Sequence, residues 1–216
     1  MAIKDSAKAA ALDVAVIVVI NRCTDRTEEI ALQQGCTVVH SEAKNLSIIR
    51  NIGVRATKTD YIATIDADSL MSRGMLTRII KHLNQDKIVG GGVLIIPERW
   101  SLGILISALA LLPLVLYYKV SCGLFFFRRQ DFEAINGFDE SLTSLEDIDF
   151  GDRLRRYGKL TGRRYATIFR DYIVTSCRKF DRFGDWYFLL HPLETWRIIK
   201  GRDQKAADKV WYDFEH

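Results

Sequence analysis

Short apolar runs alternate with amphipathic segments along the first half of the chain. The apolar runs are short and rich in β-branched residues, as buried strands are, whereas the segments between them carry apolar residues at helical spacing. The predicted strands are residues 15–20, 37–40, 61–65 and 88–96, and the clearest predicted helices are residues 46–56 and 73–83. This alternation predicts an α/β fold with a mixed, mostly parallel sheet flanked by helices.

A long uncharged segment at residues 101–118 interrupts the alternation. As a helix it would be ~27 Å long, near the lower limit for crossing a bilayer. Three interpretations stay open: a helix packed on the domain or on a second copy, a helix lying in the membrane interface, and a true span. In the second, the interfacial anchors would be Trp100, Tyr117, Tyr118 and Lys119.

The second half of the chain continues with a predicted strand at residues 123–128 and a predicted helix at residues 145–157. No composition shift marks a second domain, so residues 1–216 are predicted to form one domain. Its core is expected at residues 10–160, and residues 161–216 are expected to form a helical extension.

Composition limits the function classes. With 31 Lys and Arg against 27 Asp and Glu, the net charge of +4 is too small to indicate a nucleic-acid partner, and it fits an anionic ligand or an acidic membrane surface. The four cysteines form no CxxC pair, and residues 1–11 lack the apolar stretch of a signal peptide. These features predict a cytoplasmic protein, with contact to the inner face of the membrane as one option.

Two carboxylates, Asp66 and Asp68, end the apolar run at residues 61–65. Residues two apart in an extended segment point to one side, so this pair could hold a hard divalent cation such as Mg²⁺ or Mn²⁺. The alternative is that Asp68 or Ser69 caps the helix that follows.

A second acidic pair, Glu146 and Asp147, opens the predicted helix at residues 145–157. Acidic residues favour a helix N-terminus, which explains the charge pattern without any chemistry. A carboxylate that projects into a cleft from a helix start could also serve as a general base. Farther along, Arg178 and Lys179 could neutralise a diphosphate or form an ordinary solvated basic surface.

Four segments occur in the order and spacing seen in family-2 glycosyltransferases, and the chain resembles that family over roughly residues 10–160. The segments are NRCTDRT, RNIGVRATKTDYIATIDAD, GLFFFRRQDFEAINGFDE and LEDIDFGDRLRRYGK. The resemblance implies the GT-A nucleotide-diphospho-sugar transferase fold. It also implies an inverting enzyme that transfers a sugar from a nucleotide sugar, with UDP as the expected nucleotide, to an acceptor that a lipid could carry.

The resemblance also implies roles for individual residues. Asp66 and Asp68 match the DxD motif that joins the divalent ion to the sugar-nucleotide diphosphate. Asp147 matches the catalytic base, and Glu146 would position the acceptor. The implied nucleotide contacts are Asn21, Asp25, Arg50 and Asn51.

The chain departs from the family pattern in two places. Ile20 and Asn21 stand where many members have two acidic residues before the nucleotide loop. The first family strand, expected between the strands at residues 15–20 and 61–65, has no counterpart here. That departure motivates an alternative function, a non-catalytic module of the same fold acting in binding or assembly. We expect a cleft between the two strands, their direct pairing, or a strand added by a neighbouring copy.

Overall fold

A computed structural model of the protein describes residues 2–118, 123–191 and 193. The elements in chain order are α1 (Ala2–Ala10), β1 (Ile17–Asn21), α2 (Thr27–Gln33), β2 (Thr37–Ser41), α3 (Leu46–Ala56), β3 (Tyr61–Ile65), β4 (Ser69–Met71), α4 (Met75–Leu83), β5 (Ile88–Pro97), α5 (Leu102–Tyr118), β6 (Leu124–Arg128), α6 (Arg129–Ala134), α7 (Glu146–Leu160), β7 (Arg164–Thr175), α8 (Arg178–Phe183) and α9 (Tyr187–Leu190). Lys119 and residues 194–216 of the expected extension lie outside the described residues.

The strands form two sheets, one with the order β3-β6-β5-β7-β4 and one that pairs β1 with β2. The α/β class and the mixed sheet are as predicted, but "mostly parallel" is wrong for the described strands. Only β1–β2 and β5–β7 are parallel, whereas β3–β6, β5–β6 and β4–β7 are antiparallel. A continuous apolar run such as that of β6 reads the same in either direction, so the sequence pattern carries no strand polarity.

In the described part of the chain, no strand joins β1 to β3. Each belongs to a different sheet, with β1 hydrogen-bonded to β2 and β3 hydrogen-bonded to β6. The two strands do not pair directly, and residues 2–10 form helix α1, which packs on α4 and β4. Helix α3 contacts β1, β2 and β3, and so bridges the two sheets.

Strand β7 corrects the expectation of a helical extension after residue 161. Residues 164–175 form a 12-residue strand that lies between β5 and β4, and within the described residues the short helices α8 and α9 follow it. Charged residues interrupt the apolar pattern of this strand, at Arg170 and Asp171. Sequence periodicity therefore failed to identify it, although it is central to the sheet.

Strand β6 carries the core because it is buried on both faces. Side chains alternate across a strand, so Phe125 and Phe127 pack on one side while Leu124 and Phe126 pack on the other. The first side meets α6 and α7 through Phe132, Phe150 and Leu154, and the second meets α4 through Met75, Ile79 and Leu83. The result is a sheet covered by helices on both faces.

Strand β5 needs glycine where it lies between β6 and β7. A Cβ atom on Gly91 would lie 1.9 Å from the Ala166 carbonyl oxygen and 2.6 Å from the Phe126 ring. The absence of a side chain lets β7 approach β5 while the Phe126 ring fills the space beside it.

Candidate active site

Asp66 and Asp68 lie in the turn between β3 and β4. The Ser69 N–H donates to the Asp66 carbonyl at 3.0 Å, and the Ser176 N–H donates to the Asp68 carbonyl at 3.1 Å. The pair therefore lies just beyond the carboxyl end of β3. The helix-cap interpretation is wrong, because β4 intervenes and α4 has Gly74 at its N-cap position.

Arg50 joins the two acidic motifs. From α3 it donates to Asp66 Oδ1 at 2.7 Å and to Glu146 Oε1 at 2.5 Å, and its guanidinium lies 5.4 Å from the centre of the Phe138 ring. Its side chain is only 13% exposed. Burial alone would lower the pKa of Arg50, but the charges of Asp66, Glu146 and Asp147 outweigh burial and raise it. Arg50 is therefore a permanent cation at the centre of a carboxylate cluster.

The acidic pair Glu146 and Asp147 opens helix α7. Leu145, just before it, adopts a left-handed conformation with φ of 57°, and Glu146 in the first turn accepts a hydrogen bond from Arg50. Burial and the charge of Asp147 raise the pKa of the Glu146 carboxyl, and Arg50 partly offsets this rise. Asp147 is half-buried, and its Oδ1 accepts a hydrogen bond from the Ile148 N–H at 2.7 Å.

Helix α3 is fixed to the loop before α7 by two asparagines. Asn51 is buried, and its amide bonds the backbone N–H and carbonyl of Phe138 and the side chain of Glu140. Asn45 caps α3 and also donates to the carbonyls of Glu140 and Leu142. Asn51 thus binds this loop, and it fixes the helical turn that also carries the adjacent residue Arg50.

Helix α8 brings positive charge to the Asp66–Asp68 turn. Arg178 Nη2 lies 3.7 Å from Asp68 Oδ2. Lys179 is half-buried, and burial lowers its pKa while the charges of Asp68, Asp66 and Glu146 oppose the shift. This basic pair therefore lies beside the carboxylates, and the Arg178 side chain is at the same time 59% exposed.

Asn21 and Asp25 lie at and after the carboxyl end of β1. The Asn21 amide donates to the carbonyls of Ser41 and Ala43 at 2.8 and 2.9 Å, which ties the ends of β1 and β2 together. Asp25 is exposed and accepts bonds from the N–H and hydroxyl of Thr27. These contacts organise the loop in which the predicted nucleotide contacts lie.

Sequence reasoning missed two supporting residues, Asn45 and Arg153. An asparagine before an apolar helical pattern is an N-cap signal that could have identified Asn45. Arg153 donates to the carbonyls of Ile135 and Gly137, both at 2.7 Å, and so holds the same loop. The i,i+4 spacing to Asp149 by itself explains an arginine at position 153, and no sequence signal indicates its second role.

The carboxylates of the turn fit a divalent ion that takes some of its ligands from the protein and the others from a substrate. Among the described residues, no group of three or more His, Cys, Asp or Glu side chains could hold a metal ion. Asp66 and Asp68 supply two carboxylates at most, and Mg²⁺ typically takes one or two carboxylates together with substrate phosphates and water. The residues present therefore fit a shared site and do not form a closed structural one.

Several solved structures have a similar fold. One is S. aureus TarS residues 1–349, with 15% identity, a TM-score of 0.58, and coverage of 97% of this chain and 65% of that one. Another is the mannosyltransferase PcManGT from Pyrobaculum calidifontis in complex with GDP-Man and Mn²⁺, with 16% identity, a TM-score of 0.56, and coverage of 93% and 67%.

A third is glucosyl-3-phosphoglycerate synthase from Mycobacterium tuberculosis in complex with Mn²⁺, UDP-glucose and phosphoglyceric acid. It has 18% identity, a TM-score of 0.53, and coverage of 90% of this chain and 73% of that one. The chain thus spans about 65% of the TarS fragment. These likenesses identify the fold as that of the GT-A nucleotide-sugar transferases.

A search of curated protein sequences gave no significant match. The family model described as glycosyl transferase family 2 matches residues 2–141, which begins and ends earlier than the range inferred from the motifs. That match covers more than half of the chain and includes β1, the Asp66–Asp68 turn and the loop at Phe138. The chain therefore belongs to glycosyl transferase family 2.

Proposed function

We propose that the protein is a metal-dependent, inverting glycosyltransferase that moves a sugar from a UDP-sugar to an acceptor hydroxyl. One observation carries the proposal: Asp66, Glu146 and Asp147 surround the buried cation Arg50, with Asp68 on the same turn as Asp66. Such a cluster suits a reaction in which one carboxylate pair would hold a divalent cation for the leaving diphosphate and another carboxylate removes a proton.

Each residue has a part in the proposed reaction. A divalent cation, Mg²⁺ or Mn²⁺, held by Asp66 and Asp68, would offset the charge on the diphosphate. Arg178 and Lys179 would add positive charge beside it. Asp147 takes the proton from the acceptor hydroxyl, whose oxygen attacks the anomeric carbon as the bond to the UDP oxygen breaks on the opposite side. Glu146, held by Arg50, positions the acceptor.

The choice of donor rests on what the similar structures bind. TarS has been determined with UDP-GlcNAc, the M. tuberculosis synthase with UDP-glucose and PcManGT with GDP-Man, so two of these three structures hold a UDP-sugar. We assign the nucleotide to the edge of β1 that no described strand pairs with, and Asn21 and Asp25 lie at and after the end of that strand. Arg50 contacts Asp66 in the turn that would hold the donor diphosphate.

We assign the acceptor to a lipid carrier, because an exposed apolar helix adjoins the site. Arg99 lies three residues before the start of α5 and donates a hydrogen bond to Asp181 of α8. Arg178, which is also in α8, lies 3.7 Å from Asp68. The nucleotide sugar is a partner from solution, and a lipid-borne acceptor would approach beside α8.

Asp68→Ala is expected to lower the Mn²⁺-dependent affinity for UDP by about tenfold or more, because the ion loses one of two protein ligands. Isothermal titration of UDP with and without Mn²⁺ measures the effect. Asp68 is preferable to Asp66 for this test, since Asp66 also pairs with Arg50. Asp66→Ala should give the same loss of binding with a larger loss of stability.

Asp60→Ala is the matched control, because Asp60 is an exposed carboxylate at the opposite end of the same strand. Its affinity for UDP should equal that of the unmodified protein. Unchanged Mn²⁺-dependent UDP affinity in both Asp66→Ala and Asp68→Ala would contradict the metal assignment.

A further inference from the structure

The segment after strand β7 brings Arg178 and Lys179 to the carboxylates of the candidate site. Its first residue, Ser176, donates its N–H to the Asp68 carbonyl at 3.1 Å, and the next residue, Cys177, is buried. Helix α8 follows, and all six of its residues are at least partly exposed. A six-residue helix of this kind is not stable by itself, so contacts outside the helix must fix its position.

Arg99 supplies those contacts from just after strand β5. Its guanidinium donates to Asp181 of α8 from Nε and Nη2, at 3.0 and 2.6 Å. It also donates to Asp185, just after the helix, from Nη1 and Nη2, at 3.1 and 2.8 Å. The Arg99 carbonyl accepts a hydrogen bond from the Cys177 thiol at 3.6 Å. Arg99 therefore contacts the residue before α8, the helix itself and the chain beyond its C-cap.

The start of helix α5 also contacts this segment. A Cβ atom on Gly103 would lie 2.7 Å from the Asp185 carbonyl oxygen, so glycine lets the two backbones approach closely. No helix in the described part of the chain, α5 included, is long and apolar enough to cross a membrane. Asp185 is thus held by the Arg99 side chain on one side and by the α5 backbone on another.

The position of Asp181 on α8 decides which way Lys179 points. Residues two apart on an α-helix lie about 200° apart around its axis, so Asp181 and Lys179 occupy opposite faces. While Arg99 holds Asp181, the opposite face meets the candidate site. Burial lowers the pKa of Lys179 there, and the charges of the site's carboxylates act to raise it. Arg178, at the start of the helix, lies 3.7 Å from Asp68.

We propose that Arg99 is a positioning residue for donor binding, which fixes the rotation of α8 and so holds Arg178 and Lys179 at the diphosphate. The inference rests on the proposed function for the place of the diphosphate, at the Asp66–Asp68 turn. Ordering a loose segment when a ligand binds costs free energy, and a helix that is already fixed in the free protein avoids that cost. Arginine suits this role because its planar fork can bond two carboxylates at once.

Removing both carboxylates tests the role, because charge and position predict opposite results. Asp181→Ala combined with Asp185→Ala makes the neighbourhood more positive by two charges, which by attraction alone would strengthen binding of the UDP anion. Loss of the contacts with Arg99 instead leaves α8 loose, so we expect Mn²⁺-dependent UDP binding to weaken by about fivefold or more. Isothermal titration of UDP in the presence of Mn²⁺ measures the affinity.

Asp60→Ala combined with Asp86→Ala is the matched control, because both residues are exposed carboxylates and the net charge changes by the same amount. Its UDP affinity should stay within about twofold of the unmodified protein, since solvent and salt screen such charges. Arg99→Lys keeps both aspartates and the net charge but loses the two-carboxylate geometry, so it should weaken UDP binding as well. Thermal unfolding monitored by circular dichroism checks that each variant folds.

A double-mutant cycle checks that Arg99 acts through the cations of α8. In a protein with Arg178→Met and Lys179→Met, UDP binding is already weaker, and adding Arg99→Lys should change it by less than about twofold. A merely structural effect of Arg99 would lower the affinity equally in both backgrounds.

Four outcomes would overturn the role of Arg99 alone: UDP binding by the Asp181→Ala and Asp185→Ala variant that is as tight as in the unmodified protein or tighter, unchanged binding by Arg99→Lys, an equal loss in the control, or an equal loss in both backgrounds of the cycle. In each of them the unmodified protein still binds UDP with Mn²⁺, so the proposed enzyme function stands. Absence of Mn²⁺-dependent UDP binding by the unmodified protein overturns the proposed function, and this role with it.

Discussion

Asp147→Asn is expected to lower turnover by about 10²-fold or more while nucleotide binding is retained. The amide keeps the size of the carboxylate and can still accept a hydrogen bond from the Ile148 N–H, but it cannot take a proton from the acceptor hydroxyl. Release of UDP from UDP-glucose and from UDP-GlcNAc measures turnover, and titration of UDP in the presence of Mn²⁺ measures binding.

Asp149→Asn is the control for this experiment. Asp149 lies in the same first turn of α7, but its carboxylate pairs with Arg153 at 2.6 Å. Its turnover should stay within a few-fold of the unmodified protein, because Arg153 keeps its hydrogen bonds to the Ile135 and Gly137 carbonyls. Near-normal turnover in Asp147→Asn would remove Asp147 from the proposed mechanism.

Arg50→Met is expected to lower the free energy of unfolding by about 3–5 kcal/mol at neutral pH. The substitution keeps much of the side-chain volume but leaves the Glu146 carboxylate buried without its partner, and a buried unpaired charge is costly. Denaturant unfolding measures the change. Arg55→Met serves as the control, because Arg55 is on the same helix with a side chain that is 68% exposed, and its loss should be under about 1 kcal/mol.

The pH dependence of the Arg50→Met variant follows from Glu146. Loss of the Arg50 charge raises the folded-state pKa of Glu146 further above its ordinary value of 4.5. Between those two pKa values the folded protein binds more protons than the unfolded chain, so stability falls as the pH rises through this range. The destabilisation should therefore be smallest near and below pH 4.5 and should grow toward neutral pH. A pH-independent loss would show that Glu146 does not carry the effect.

The sequence predicted the elements with clear periodicity and missed those without it. Residues 46–56 and 61–65 are helix α3 and strand β3 with the predicted bounds. Strand β4 has three residues, too few for any period, and the charged residues in β7 hide its pattern. Strand direction was not readable either, because the apolar run of β6 has no polarity.

The candidate site was likewise predictable in part. The residue types and spacing indicated the two acidic motifs, and the structure brings Asp66 and Glu146 to one guanidinium. That Arg50 would link them depends on how α3 packs against the loop before α7, which no local pattern encodes. Likewise, the hydrogen bonds of Asn51 go to a loop 87 residues away along the chain.

The division of the strands into two sheets has a consequence for how the protein unfolds. In β1, successive residues direct their N–H and C=O groups to opposite sides, and β2 supplies partners on one side only. Within the described part of the chain, separating β1 and β2 from the rest breaks side-chain contacts with α3 but no ladder to the five-stranded sheet. The β1–β2 unit therefore opens at a lower free energy than the sheet that carries β6, and amide hydrogen exchange in β1 should precede exchange in β6. Because Asn45 and Asn51 hold α3 to the loop before α7, the carboxylate cluster stays assembled while the loop at Asn21 and Asp25 samples open states.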